Sequence, residues 1–431
     1  MKILNSSQVS SFGGLNFVLE AFNKIGIDKF INDEFPELPQ QCKYSWKDIL
    51  YSFWSVFFCG GECAEDISVN LKPAFKLNPF VNLPSPDRIL ERLKGLAQTG
   101  QFNTTSRGNT IHHFGTNESL NNINQLLFKK LAKKNDDRHI LDYDNTFLFT
   151  NKADAANTYK KRYGYCPGVG LIGKNIVYVE NRNGNSNPEA LQKQTLERMF
   201  TLLKTNNIHI KAFRADAASY NLFSLDEIQN NVDLFYIRSR MSEALDEIIK
   251  EIKHWDELII DNRKVYRASI LFTPFKNRAR RLKQLHLLKE YRLVITKEPR
   301  EDGQLNMFTG EAFNYRGILT NDFESSNDEV VFFYNQRGAI EREFDVLKND
   351  FGWNNMPFSK LEQNTVFLIV TAMCRNLYEF IITQFSKCFK NLKSNYRIKK
   401  FIYRFICIPA KWVRSSRNLK LRIYGSVAFK T

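Results

Sequence analysis

The chain has little of what builds zinc centres or disulfide frameworks: its 431 residues include only seven cysteines and six histidines. Cys42, Cys59, Cys63, Cys166, Cys374, Cys388 and Cys407 are odd in number, scattered, and form no CxxC pair. That argues against a structural zinc site and a disulfide set, and suits a reducing cytoplasm. The opening MKILNSSQVSSFGG lacks the apolar run of a signal peptide. The two most apolar stretches, Ile49 to Cys59 and Thr365 to Phe385, are respectively too short for a bilayer and interrupted by Arg375 and Glu379, so no membrane span is expected. No internal repeat or low-complexity tract stands out. Acidic residues are absent after Glu379, although 13 Lys and Arg occur from Lys387 onward.

Positive charge and aromatic rings are what the chain has in plenty. Lys and Arg outnumber Asp and Glu by 62 to 46, a formal net charge of +16, which is the electrostatic footprint of a nucleic-acid binder. A basic tail without acids needs a polyanion or a very wet surface. Within it Tyr396, Phe401, Tyr403, Phe405 and Trp412 alternate with Lys399, Lys400, Arg404 and Arg414. That interleaving suits a phosphate backbone, and half of the rings would equally serve a core.

The length calls for a sizeable core plus accessory domains, since single cores stop growing near about 250 residues. Residues 1–135 have apolar spacing of three and four throughout, as in LNFVLEAFNKIGI and WKDILYSFWSVFF, and predict an all-helical domain suited to binding DNA. Ser85-Pro86-Asp87 opens one of its helices with an N-cap and a first-turn proline. From His139 the texture becomes β-rich: HILDYDNTFLF, VGLIGKNIVYVE, HIKAFRADA and VDLFYIRSR, with the helix NPEALQKQTLERMFTLLKTNN between the second and third. Strands alternating with helices predict an α/β core with parallel strands over 136–240, and catalytic carboxylates are then sought at strand ends. Residues 241–323 read as a β-rich insertion, with a basic cluster at Lys276, Arg278, Arg280, Arg281 and Lys283. Helices return over 324–386, where the core is completed, and 387–431 form the basic C-terminal segment.

Three elements carry candidate chemistry. Asp144 ends the apolar strand HILDYD, and Asp142, two positions earlier, points to the same face, so the first ligand is open between them. Asp216 ends KAFRAD, with Arg214 on its face. Two such strands side by side would bring like charges together, tolerable only with a cation, and oxygen ligands without a His or Cys cluster select magnesium or manganese. The third element spaces Tyr334, Arg337, Glu341 and Lys348 as Y-x2-R-x3-E-x6-K. On a continuous helix they fall within roughly a 60° arc, a carboxylate flanked by two cations and a phenol. Arg337 and Lys348 are placed there to hold phosphates. Other signals are weak. GVGLIGK lacks nucleotide-loop spacing and predicts a turn between strands. His112-His113 reads as loop or helix surface, and Cys374 as core packing.

LDYDNT, FRAD and YNQRGAIEREFDVLK together resemble the DDE transposases of bacterial insertion sequences, in the branch whose third-carboxylate helix bears a Y-R-E-K signature. The resemblance extends over nearly the whole chain, from SSFGGL to the basic tail. It implies a ribonuclease H-like catalytic core in which Asp144, preferred to Asp142 for its place before Thr146, binds two Mg²⁺ or Mn²⁺ ions together with Asp216 and Glu341. It further implies that Tyr334, Arg337 and Lys348 contact phosphates of the transposon end. Arg238 and Arg240, just past DLFYIRSR, are added as backbone contacts on chemical grounds. The partners implied are double-stranded DNA, as terminal repeats and target, and a second copy of the chain at synapsis, in a bacterial cytoplasm. Relatives that close the cut end as a hairpin hold a flipped base on an aromatic residue of the insertion; here Trp255, Phe308, Phe313 or Tyr315 would serve, or the step is absent. A nuclease without strand transfer and an inactive DNA-binding protein on the same scaffold are the alternative readings.

Overall fold

The computed structural model describes residues 9–75, 78–104, 110–132, 139–260, 263–305, 310, 312–415 and 418–425. At its centre are five strands: β1 (His139–Asn145), β2 (Gly168–Ile172), β3 (Asn175–Arg182), β4 (Ile210–Ala215) and β5 (Leu234–Arg238). They lie side by side in the order β3-β2-β1-β4-β5. β1, β4 and β5 run parallel, while β2 is antiparallel to both β1 and β3. This mixed order fits the ribonuclease H-like core implied above. β2 and β3 meet at Gly173, whose φ of 61° permits the tight turn expected of GVGLIGK.

Alternation along β1 decides what each face does. Leu141 and Tyr143 point into a core shared with Phe213, Phe235 and Ile237, and the crossover helices Gln192–Thr205 and Leu222–Gln229 cover it with Met199, Phe200, Leu225 and Ile228. Asp142 and Asp144 therefore face the other side. There the helix Asn327–Asn335 packs Val330, Val331 and Tyr334 on Ala212, Tyr236 and Ile318.

The insertion continues this sheet and does not stand apart. β6 (Asp256–Ile260), β7 (Arg263–Phe272), β8 (Tyr291–Pro299) and β9 (Phe313–Thr320) form an antiparallel run, with β9 paired to β5. The described residues make an eleven-stranded sheet, the last two strands being Gln101–Thr104 and Ile111–Gly115 on the edge of β3.

That edge corrects two expectations. Residues 1–135 are not all helical, because these two strands fall within them. His112 and His113 are not surface residues either: both are buried in the strand Ile111–Gly115, bonded to Ser186 at 3.0 Å and to Glu362 at 2.8 Å. The short, polar run IHHFG carries no apolar alternation, so only its neighbours make it a strand. Farther along β3 the exposed ladder is closed by amide side chains. Asn121 bonds both the N–H and the C=O of Val179, and Asn376 does the same for Ile176, so none of these buried groups is orphaned.

The helices of the N-terminal region share one hydrophobic cluster with the helix Leu361–Cys388 and the C-terminal segment. Trp46–Phe58 starts at a Ser45 and Asp48 capping box and is apolar on all sides, as suits a helix enclosed by others. Trp54 donates its indole N–H to the Val370 carbonyl at 3.0 Å. Leu361–Cys388 is long and apolar enough to cross a membrane, yet 89% of its most apolar window is buried inside the protein. The motif SSFGGL stitches the two ends of the fold together. Ser10 exchanges backbone bonds with Ala410, and Gly13 N–H bonds Ile408 O at 2.7 Å. A Cβ on Gly14 would stand 2.0 Å from the Phe405 oxygen, so the close approach requires glycine. In the tail Phe401 and Phe405 are core residues, whereas Tyr403 is exposed.

Candidate active site

Parallel register places the two aspartates beside each other. Tyr143 of β1 is opposite Ala215 of β4, so the next residue on each, Asp144 and Asp216, lies at the same end of the sheet. Asp216 caps the turn that follows, its Oδ1 accepting from Ala218 N–H at 3.0 Å. Asp142 does not compete for the role of ligand. Arg214 clamps both its oxygens at 2.7 Å and donates a further bond to Phe333 O, with only 7 to 8% of either side chain exposed. Asp142 and Arg214 are thus a closed structural pair beneath the helix Asn327–Asn335, leaving Asp144 as the available carboxylate of the doublet.

Burial above all, and then the charge of Asp216, push the Asp144 carboxyl from the ordinary 3.8 up to about 6, although Arg337 pulls it down. Arg337 bonds Asp144 Oδ2 at 2.9 Å. Burial works most strongly against this guanidinium, yet the Asp144 charge and hydrogen bond, with the Tyr334 and Asp216 charges, together hold the group above its ordinary value. Desolvated oxygens in mutual repulsion, with no nitrogen or sulfur donor beside them, are a donor set that fits a hard divalent cation. Because the folded-state value of Asp144 is raised, its protonated form stabilises the fold at low pH, and that contribution is lost as pH rises through about 6. A bound metal competes with the same proton. Mg²⁺ or Mn²⁺ should therefore raise the unfolding temperature above about pH 7 and lose that effect on acidification through the raised value. A metal increment that ignores pH would speak against Asp144 as a ligand.

The third element departs from the expected continuous helix. Asn327–Asn335 ends, a 3₁₀ turn spans Gln336–Gly338, and a new helix runs Ala339–Asp350. The shared arc is broken at the turn, and its members have different surroundings. Tyr334 is buried, with its hydroxyl 3.4 Å from Ala215 O, and burial raises its pKa so that it stays protonated. Arg337 reaches the aspartates. Glu341 is exposed in the first turn of the new helix, one turn beyond Arg337, and no hydrogen bond or ion pair joins it to Asp144 or Asp216. Among the described residues no group of three His, Cys, Asp or Glu stands ready to hold a metal. Two of the three expected ligands are thus side by side, and the third is one helical turn from the arginine that bonds Asp144.

The helix bearing Glu341 is firmly seated. Ile340, Phe344 and Leu347 are buried, and the buried Arg375 bonds Glu343 at 2.7 Å and Glu379 at 3.0 Å. Lys348 lies half-buried on it. Burial first, then the charge of Lys160, pulls its ammonium below the ordinary value. Lys348 and Lys399 line a shared cleft with Asn349 and Asn354, so the Y-R-E-K lysine and the basic tail meet there. Arg397 ties the tail to this helix through Asp345 and Asp350.

Of the two arginines at the end of β5, Arg238, its last residue, belongs to the site. Burial pulls it below the ordinary guanidinium value, with Tyr334 opposing and the charges of Arg316 and Arg337 adding to the fall. Arg240 bonds Glu189 and the Ala217 carbonyl, bracing the turn just after Asp216. In the insertion, Trp255, Phe313 and Tyr315 surround the Lys297 ammonium at 5.5, 4.4 and 5.8 Å from their ring centres. Phe308 lies outside the described residues. Sequence reasoning missed the Asp142 to Arg214 pairing, though the matching Asp and Arg two positions before the aspartate pair on adjacent strands was a usable signal.

No curated protein matches the chain. Among solved structures it is similar to one described as the cryo-EM structure of the piggyBac transposase synaptic complex with hairpin DNA. The two share 11% identity and a TM-score of 0.43 over 91% of this chain and 78% of that one. The model of one protein family, transposase DDE domain group 1, matches residues 4–431. Matched over that span, the chain belongs to the DDE transposases of domain group 1.

Proposed function

We propose that this transposase is a bacterial insertion-sequence enzyme of the Y-R-E-K branch that binds the terminal inverted repeats of its own element, cuts the DNA, and joins the 3′ ends to a target. The observation that carries this reading is the side-by-side placement of Asp144 and Asp216 on parallel strands, with Asp144 raised to about 6. In this reading Asp144, Asp216 and Glu341 hold two Mg²⁺ or Mn²⁺ ions. When bound, such ions activate a nucleophilic oxygen and stabilise a leaving oxygen at phosphorus.

The protein groups around them bind and orient. Arg337 is already shared with Asp144, so it is placed to turn one N–H edge toward an incoming phosphate while keeping the carboxylate aligned. Arg238 and the neutral Tyr334 back it from the β5 side, and Lys348 offers a half-buried ammonium as a second phosphate contact. Arg240 fixes the backbone after Asp216. Two ends have to be held for joining, so the working form is a dimer on DNA, in the cytoplasm beside the nucleoid.

The test is a precut terminal-repeat duplex incubated with supercoiled plasmid and Mg²⁺. The expected product is a plasmid with the duplex covalently attached through its 3′ end. Nicking or degradation without attachment would instead make the chain a nuclease on the same fold, and repeat binding with neither product would make it a DNA-binding protein.

A further inference from the structure

Immediately after Asp144 the chain leaves the main sheet and forms a small three-stranded one: Leu148–Phe149, Ala156–Asn157 and Tyr163–Tyr165. Its base is fixed. Leu148 and Tyr165 are fully buried, Thr146 N–H bonds Pro167 O, and Asp154 accepts from the Tyr165 hydroxyl and from Leu361 N–H. A Cβ on Gly164 would lie 2.3 Å from the Leu148 oxygen, so the strands pack at a distance that admits only glycine.

Its tip has the opposite character. Tyr159-Lys160-Lys161-Arg162-Tyr163 are five consecutive exposed residues, Tyr159 being 69% and Tyr163 53% accessible. Two exposed rings flank three consecutive cations there, a concentration of aromatic face and positive charge at the surface. The turn is nevertheless rigid. Thr158 N–H and its hydroxyl both bond Arg162 O, Lys161 N–H bonds Thr158 O, and Lys161 is held at a φ of 57°. A non-glycine residue kept in that region is a strained conformation retained at a cost.

The tip packs on the segment that leads out of β1. The Tyr159 ring meets Phe147 edge-on at 5.0 Å, the Lys160 ammonium lies over the same ring at 5.4 Å, and Arg162 lies 3.9 Å over Phe149. Phe147 is three residues beyond Asp144. On the other side the charge of Lys160 reaches Lys348. The tip therefore packs on the segment that directly follows the strand bearing Asp144, with Lys160 on the side of Lys348.

We propose that this tip is a grip for the DNA strand end, in which Tyr159 stacks on an unpaired base next to the scissile phosphate while Lys160 and Lys161 hold the adjoining phosphates. An aromatic face beside cations is the chemistry that captures single-stranded nucleic acid regardless of sequence. The inference rests on the transposase reading and adds a residue-level contact to it.

Stacking is read without cleavage by placing 2-aminopurine at the terminal position of a duplex bearing the inverted repeat that flanks the coding region, with EDTA present. The wild-type chain should quench it and Tyr159→Phe should retain the quenching, while Tyr159→Ala should lose it with an unchanged unfolding temperature. With Mg²⁺ restored, Tyr159→Ala should cut roughly tenfold more slowly, toward the lower end of what one lost base stack gives. Lys160→Ala should reduce the slope of log affinity on log salt by about one. Quenching that persists in Tyr159→Ala, is lost in Tyr159→Phe as well, or is absent from the wild type would overturn the proposal. A wild-type chain that quenches but never cuts would sink the transposase reading and leave the grip standing.

Discussion

Asp216→Ala should remove strand cleavage, by on the order of a thousandfold or more, while binding to the terminal repeat stays within a few-fold of wild type. The asymmetry follows from what Asp216 touches. Among the described residues its side chain bonds the Ala218 N–H and pairs with no cation, so its loss leaves the basic surface intact. What disappears is one of two adjacent oxygen donors, and with it the reason for a cation to sit there. Glu341→Ala should reach the same endpoint through the third ligand, without raising stability, since the side chain is exposed and packs on nothing. The readout is a pair of assays on each purified variant, gel retardation and end cleavage. Wild-type cleavage by both variants would remove these carboxylates from the reaction, and joint loss of binding and cleavage would make their role structural.

The largest stability effect is expected one step deeper, at Asp142 and Arg214. Arg214→Ala leaves a buried carboxylate without its partner, which costs about 3–5 kcal/mol. It also strips the Phe333 carbonyl of a donor at the point where the helix Asn327–Asn335 turns toward Arg337. Replacing both partners together, Asp142→Leu with Arg214→Met, should recover most of the loss, because an apolar pair of similar volume needs no desolvation. Urea unfolding of the two single variants and the double measures this directly. Single variants that cost less than about 1 kcal/mol would place the pair outside the group of interactions that seat the helix. Cleavage by the refolded double variant separates the assignments of the doublet, since Asp144 alone then remains to serve as ligand.

Much of the site was legible because its parts are local. Asp144 and Asp216 each end an apolar run, and a strand end is where a carboxylate reaches a functional edge. Ser85 and Pro86 announce their helix by chemistry confined to four residues, and the structure places them at its N-cap and first position. The insertion was visible as alternating segments, though not its fusion with the main sheet through β9.

What stayed hidden was set by partners far off in the chain. His112 and His113 became buried strand residues because β3, Ser186 and Glu362 enclose them. The four-residue Y-R-E-K arc assumed a continuous helix. Yet Gly338 follows Arg337 at a point where the chain must turn so that Arg337 can reach Asp144, and three residues of tighter 3₁₀ geometry intervene. The exposed tip at Tyr159 gave no sequence signal, since nothing in its own residues says that it packs just beyond the strand bearing Asp144.

The sequence by itself determined the central strands, their crossover helix and the DDE transposase family, because hydrophobic period, caps and strand ends are properties of neighbouring residues. Only the tertiary structure decided that Arg214 closes off Asp142, that the ends of the chain close one common core, and that Glu341 stands apart from the two aspartates. Those outcomes depend on which charges meet across the fold, Arg214 with Asp142 and Arg337 with Asp144, and a pairing between distant residues leaves no period in the chain that makes it.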